Sequence, residues 1–124
     1  MKELFLYSFL LFPLLMFAQD LEQTYHDNGY LKTEGTLENN QREGTWMFYH
    51  SNGEISGKGN YIQNEPNGKW TFYYENKEIE LVGYLKNGQR EGDFNYYYES
   101  GQALSEGKFA NNVQEGAWKY YHEQ

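Results

Sequence analysis

The segment Gly44–His50 reads Gly-Thr-Trp-Met-Phe-Tyr-His, and it decides the fold because it returns three times at one spacing. The copies begin at Gly68, Gly92 and Gly116, so equivalent glycines are 24 residues apart. A unit repeated at a fixed period is the signature of a repeat protein, in which each unit completes the core of its neighbour. We therefore expect one elongated repeat domain.

Each unit is predicted to fold as two strands joined by a tight turn. The strand Gly44–His50 is followed by Asn52-Gly53, which is typical of a two-residue type I′ turn because both central residues need a positive φ. A second strand, Ile55–Tyr61, follows, and a wider connection such as residues 38–43 leads to the next unit. Asn76-Lys77 occupies the turn of the third unit, which we expect to be strained or longer. Equivalent second strands are expected at Leu31–Leu37, Ile79–Leu85 and Ala103–Phe109.

The first unit is predicted to be a degenerate cap. Asp20–His26 occupies the register of Gly44–His50, but Glu22 stands where Trp46 would be. A terminal repeat with a polar outer side is common in such arrays because that side faces water. The sequence therefore predicts an all-β, single-layer antiparallel meander of eight or nine strands over residues 19–124.

Alternation along the strands predicts two different faces, because successive side chains of a strand point in opposite directions. Trp46, Phe48 and His50 share one face, whereas Met47 and Tyr49 point to the other. The first face is aromatic in every unit. The second carries one tyrosine per unit.

The turn lengths predict which residues lie opposite each other. Counting from a two-residue turn at Asn52-Gly53 places His50 opposite Ile55 and Trp46 opposite Gly59. Counting through the loop 38–43 places Trp46 opposite Gly35 as well. Because glycine has no Cβ, we expect each tryptophan to lie flat with a glycine on either side.

The composition limits the kinds of partner. The chain has 13 Tyr, 8 Phe and 3 Trp, so the core is expected to consist mainly of aromatic rings. A net charge of -8 disfavours nucleic acid and anionic membrane surfaces, since both are bound through Lys and Arg. The absence of cysteine excludes disulfides, thiolate metal sites and thiol nucleophiles.

Residues 1–18 are predicted to be a secretory signal peptide preceding the repeat domain. Lys2 comes before the apolar run Leu4–Phe17, which is shorter than the roughly 20 residues that a spanning helix needs. We expect an N-terminal signal helix, cleavage near Ala18, and a secreted or periplasmic protein. An uncleaved membrane anchor is the alternative.

The combination of Asn-Gly, a strand glycine and Glu-Gly-x-Trp at this period resembles the MORN repeat, particularly its bacterial variant. The similarity is most specific at Glu43–Trp46, Asn67–Trp70 and Glu115–Trp118, whereas Asp93-Phe94 departs from it by lacking the tryptophan. The resemblance covers residues 20–124 and implies an elongated, twisted meander that serves for interaction or scaffolding. Bacterial proteins with such repeats are often labelled antitoxin-like, which supplies an alternative function.

Histidine and glutamate are the obvious candidates for chemistry, and both are interpreted as structural. His26, His50 and His122 share a register position with Tyr74 and Tyr98, which indicates an aromatic slot. Equivalent strands are about 9 to 10 Å apart, too far for two such histidines to share one zinc ion. The wide-turn carboxylates are expected to form a solvated acidic edge, with a weak Ca²⁺ site as the alternative: Glu43, Glu91 and Glu115. We predict no catalytic residue, no metal and no cofactor.

Two surfaces remain as candidates for binding. The first is a tyrosine ladder, predicted to be exposed and to bind a protein partner at the cell envelope: Tyr49, Tyr73, Tyr97 and Tyr121. The second is an aromatic stripe, either the core or a surface on which sugar rings stack: Trp46, Trp70, Phe94 and Trp118. The last predicted strand, Ala117–His122, has no following unit, so we also expect a weak homodimer or partner contact at this edge.

Overall fold

A computed structural model describes residues 19–124, which form a single antiparallel sheet of nine strands. The order of strands across the sheet is the order along the chain, so the fold is a meander, as predicted. Contacts are concentrated between neighbouring strands. The predicted signal helix and cleavage site lie outside the described residues. The strands are β1 (Gln19–Tyr25), β2 (Leu31–Glu38), β3 (Gln41–Tyr49), β4 (Ile55–Ile62), β5 (Glu65–Tyr73), β6 (Ile79–Lys86), β7 (Gln89–Tyr97), β8 (Ala103–Ala110) and β9 (Val113–Tyr120).

The two-residue type I′ turns lie where the wide connections were predicted. Between β2 and β3, Asn39 and Asn40 have φ values of 50° and 60°, and Glu38 pairs directly with Gln41. Asparagine tolerates this left-handed conformation better than most residues do. The prediction of a six-residue loop at 38–43 was therefore wrong, since two residues suffice.

The Asn52-Gly53 turn is longer by one residue than predicted. Only Gly53 has a positive φ, and its N–H donates to the carbonyl oxygen of His50 at 3.0 Å. The His50 N–H in turn donates to the carbonyl oxygen of Glu54 at 2.8 Å, as in a type I turn with a G1 bulge. As a result Tyr49, and not His50, lies opposite Ile55.

The equivalent turn at Lys77 was expected to be strained or longer, and it has the same length as the turn at Gly53. Lys77 donates to the carbonyl oxygen of Tyr74 at 3.0 Å, and Tyr74 donates to that of Glu78 at 2.8 Å. The expectation of strain is confirmed, because Lys77 has a φ of 76°, which is unfavourable for a residue with a side chain.

Each large ring of the aromatic stripe lies over a strand glycine, and Trp46 has a glycine on either side, as predicted. A Cβ atom added to Gly35 would overlap the indole of Trp46. Gly59 is the backbone partner of Trp46, as expected, but its Cα is covered by the ring of Trp70 from the next strand. Gly83 and Gly107 are covered in the same way by Phe94 and Trp118. These strand glycines are thus required because an aromatic ring of the next strand in the Gly-x-Trp register packs directly on their backbone.

The core is a row of rings along one face of the sheet. Tyr61 stands edge-on between Trp46 and Trp70, with ring centroids 6.0 and 5.2 Å apart. Phe109 occupies the same position between Phe94 and Trp118, at 4.9 and 5.0 Å. Such pairs contribute about 0.5 to 1.5 kcal/mol each beyond the burial of their area. We call this side of the sheet the aromatic face.

Among the described residues, no helix has the length and apolar character needed to cross a membrane.

Candidate interaction surface

The four candidate tyrosines lie in one row on the side of the sheet opposite the aromatic face. The hydroxyl of Tyr49 is 3.5 Å from a carboxylate oxygen of Glu34, which adjoins the glycine under Trp46 and points away from that ring. Tyr121 makes the equivalent contact with Glu106 at 2.9 Å. We define the tyrosine face by its row of Tyr49, Tyr73, Tyr97 and Tyr121. The first three are partly buried and Tyr121 is exposed.

The hydroxyls at the two ends of this row, those of Tyr49 and Tyr121, lie within hydrogen-bonding distance of carboxylates. The pKa values of both tyrosines are raised. Burial raises the pKa of Tyr49, and the charge and hydrogen bond of Glu34 raise that pKa further. The hydrogen bond to Glu106 is the main cause of the raised pKa of Tyr121.

The inner two hydroxyls differ, because Lys58 and Val82 occupy the positions equivalent to Glu34 and Glu106. Within residues 19–124, neither Tyr73 nor Tyr97 uses its hydroxyl in a hydrogen bond to another side chain or to the backbone. These two tyrosines therefore offer an aromatic body and an unused polar group at the middle of the sheet.

The histidine register forms a hydrogen-bonded link between successive repeats. Nε2 of His50 lies 2.7 Å from the carbonyl oxygen of Tyr73, and Nε2 of His26 lies 2.8 Å from that of Tyr49. Because a carbonyl can only accept, Nε2 carries the hydrogen in both cases. Tyr74 and Tyr98 donate their hydroxyls to the equivalent carbonyls at 2.7 Å. The position is thus filled by a ring with a donor at its tip.

No group of three or more His, Cys, Asp or Glu side chains that could hold a metal ion occurs in the described part of the chain.

Two of the wide-turn carboxylates bind the backbone of the next repeat. Glu43 accepts a hydrogen bond of 2.8 Å from the N–H of Gln63, the first residue of the following type I′ turn. Glu91 accepts the equivalent bond from Asn111 at the same distance. The repeat between these two carries Asn67 at this position. Because glutamate does not recur in every repeat, the sequence pattern did not reveal this link.

The aromatic stripe is largely closed to solvent. Trp46 is 0% exposed, Trp70 is 5% and Phe94 is 4%, whereas Trp118 in the last strand is only partly buried. The guanidinium of Arg42 lies 4.3 Å from the ring centre of Trp46 and donates to the hydroxyl of Tyr61 at 3.1 Å. A cation over a ring in this way covers it further.

Sequence reasoning missed this arginine cover. Arg90 repeats the arrangement, with its guanidinium 4.1 Å from the ring centre of Phe109. Both arginines follow a type I′ turn by two positions and stand in the same tripeptide, Gln-Arg-Glu. That shared tripeptide was the available signal, but it does not show which rings the arginines cover: Trp46 lies four residues after Arg42 in the same strand, whereas Phe109 lies on the strand next to that of Arg90.

Comparison with known families agrees with the repeat geometry. The sequence model described as a MORN repeat variant matches three consecutive segments, residues 42–63, 66–88 and 90–111, which together span more than half of the chain. Each segment holds a strand, the Asn52-type turn, the second strand and the start of the type I′ turn. No curated protein matches the chain significantly. MORN repeats are generally non-enzymatic and commonly mediate interactions with proteins or membranes. By its sequence match and its repeated hairpins, the chain belongs to the MORN repeat variant family.

Proposed function

We propose that this protein is a non-enzymatic, exported repeat module that binds a protein partner at the cell envelope through its tyrosine face. The observation that carries the proposal is the contrast between the two faces. Neither face carries a second layer within the described residues, but the large rings of the aromatic face are buried against one another and under an arginine. On the tyrosine face the hydroxyls of Tyr73 and Tyr97 make no hydrogen bond to another described residue.

The chemistry of the tyrosine face suits a protein partner. Tyr73 and Tyr97 are partly buried, so their rings are held in place while their hydroxyls remain unused. Tyrosine is enriched at protein interfaces because it offers a large rigid contact area at a low entropic cost and a polar group at its tip. Burial of Trp46 and Trp70 argues against the alternative, in which sugar rings would stack on these indoles.

Export rests on the apolar segment Leu4–Phe17 and the cleavage signal at Ala18. If the segment acts as a signal peptide, the mature protein isolated from its native cells begins at Gln19 and is found outside the cytoplasm. An intact mass that still includes Met1, in a cytoplasmic fraction, would refute this half of the proposal.

The binding half is tested with a double variant, Tyr73→Ala and Tyr97→Ala. A partner is first captured by cross-linking in the native envelope, and its affinity for the purified protein is then measured by calorimetry. Interface tyrosines often cost more than 1 kcal/mol when truncated, so we expect the double variant to bind about tenfold or more weakly.

The matched control is Tyr120→Ala, which removes an exposed tyrosine from the aromatic face. We expect its affinity to stay within about twofold of the unaltered protein, since an exposed side chain outside an interface contributes little. Undiminished binding by the double variant, with its fold intact by circular dichroism, would reject the tyrosine face as the interface.

A further inference from the structure

Two clefts on the tyrosine face lie in equivalent positions of different repeats. The first has a volume of about 490 Å³ and is lined by residues that include Lys58, Lys69 and Tyr73. The second, of about 580 Å³, lies 48 residues further along and includes Glu106 where the first has Lys58. We call the first the lysine cleft and the second the C-terminal cleft. The two clefts have the same architecture but different charges, so the C-terminal cleft serves as a reference for the lysine cleft.

The charges of the C-terminal cleft are balanced within the protein. Lys108 lies 3.9 Å from a carboxylate oxygen of Asp93, and Lys119 lies 3.7 Å from one of Glu106. Glu115 adds a further carboxylate to the lining. This cleft therefore carries no excess of positive charge.

The lysine cleft has no such compensation. None of its lining residues is acidic, and neither Lys58 nor Lys69 forms an ion pair with another described residue. Thr45 stands where Asp93 stands in the other cleft. Two uncompensated ammonium groups therefore face one cleft in a protein whose net charge is -8.

We infer that the lysine cleft binds an acidic peptide segment of the protein partner. The two ammonium groups complement carboxylates, and the unused hydroxyl of Tyr73 is a further donor. Ile79 and Val82 contribute an apolar wall for the aliphatic stems of the acidic side chains. The inference rests on the proposed function, because it names the chemistry of a partner on the tyrosine face.

The size of the positive patch favours a short peptide over a larger polyanion. Lys58 and Lys69 lie within one cleft, while acidic residues occur along both turn edges, as at Glu43 and Glu75. A nucleic acid or an anionic bilayer would extend beyond the cleft and meet these carboxylates, which repel it. A peptide of a few residues would fit within the cleft and would not reach these carboxylates.

The test measures binding of a hexaglutamate peptide to the ¹⁵N-labelled protein by NMR titration at low ionic strength. Exposed ion pairs are weak, so loss of two of them in Lys58→Gln/Lys69→Gln is expected to raise the Kd about fivefold. The matched control, Lys108→Gln/Lys119→Gln, removes two lysines from the C-terminal cleft and is expected to leave the Kd unchanged. Amide shifts at Thr45, Lys58 and Lys69 are expected to dominate the spectrum.

Three outcomes would overturn the inference. The first is equal weakening in both double variants, which would indicate unspecific attraction. The second is equal binding of a hexaglutamine peptide. The third is tighter binding of inorganic phosphate, of anionic phosphatidylglycerol vesicles or of a second copy of the protein at the same residues.

The test also separates this inference from the proposed function. If the Lys58→Gln/Lys69→Gln variant binds the captured partner as tightly as the unaltered protein while the Tyr73→Ala/Tyr97→Ala variant does not, acidic recognition is refuted and the tyrosine face stands. If neither variant weakens partner binding, both are refuted.

Discussion

Gly59 shows at the scale of a single residue why the repeat keeps glycine inside its strands. The indole of Trp70 lies directly on its Cα, so a methyl group at that point would overlap the ring. Gly57, two residues earlier in the same strand, is less crowded: its Cβ would lie 3.0 Å from Cδ1 of Phe72. The two positions form a matched pair for measuring the effect of ring packing.

We predict that Gly59→Ala lowers the free energy of unfolding by about 1 to 3 kcal/mol, the usual cost of overpacking a core. Gly57→Ala is expected to cost distinctly less, since a shift of a few tenths of an ångström relieves its contact. Urea unfolding followed by tryptophan fluorescence measures both. Equal destabilisation by the two substitutions would show that the ring over Gly59 does not determine the choice of glycine.

At the scale of the element, successive hairpins are joined by hydrogen bonds that cross from one repeat to the next. The donor is a histidine in the first two repeats and a tyrosine in the next two, and the acceptor is always the carbonyl of the residue 23 positions later. A hydrogen-bond donor occupies this position in all four repeats, and either an imidazole or a phenol can supply it.

A requirement for a donor at this position predicts opposite results for two substitutions of His50. His50→Tyr is expected to leave the thermal stability nearly unchanged, because Tyr74 and Tyr98 already make the same bond. His50→Phe keeps the ring but removes the donor and leaves the Tyr73 carbonyl unpaired, which is expected to cost about 1 kcal/mol. Thermal unfolding at neutral pH compares them. If the phenylalanine variant were as stable as the tyrosine variant, the position would be a purely apolar slot.

The sequence predicted the strands and their faces correctly but exchanged the two kinds of turn. Asn52-Gly53 satisfies the composition of a type I′ turn, yet the type I turn with a bulge uses the same residues and only one positive φ. Composition alone does not distinguish them, because the choice depends on backbone hydrogen bonds. A second bulge at Ser56, between the pairs Tyr49–Ile55 and Phe48–Gly57, restores the register, so Trp46 still lies opposite Gly59. The hydrogen bonds of Arg42 with Tyr61 and of Glu43 with Gln63 could not be predicted, since they depend on how adjacent strands and turns lie against each other.

At the scale of the whole molecule, the described meander does not close, so β9 forms one of its edges. Among residues 19–124, no further strand lies beside β9, and Val113 and Tyr120 in this strand are each 67% exposed. Glu115 and Lys119 are the charged residues of β9 that oppose strand addition, and Lys119 is already engaged with Glu106. We propose that β9 pairs weakly with a second copy.

Light scattering is expected to show an average mass that rises toward that of a dimer as the protein concentration increases. A Tyr120→Lys variant, which adds a charge to the edge, is expected to stay closer to the monomer mass. A constant monomer mass of the unaltered protein up to millimolar concentration would exclude self-pairing at β9.

The tyrosine face, and not the aromatic face, is the surface that we propose contacts the partner. Tyr96 and Tyr97 are adjacent in β7 but belong to opposite faces, since Tyr96 packs near Phe94 and Trp118. The most direct measurement places the photo-cross-linker p-benzoylphenylalanine at position 73, 96 or 97 and irradiates the native cells. We expect one covalent adduct with the same partner from positions 73 and 97 and none from position 96. An adduct from position 96 alone would contradict it.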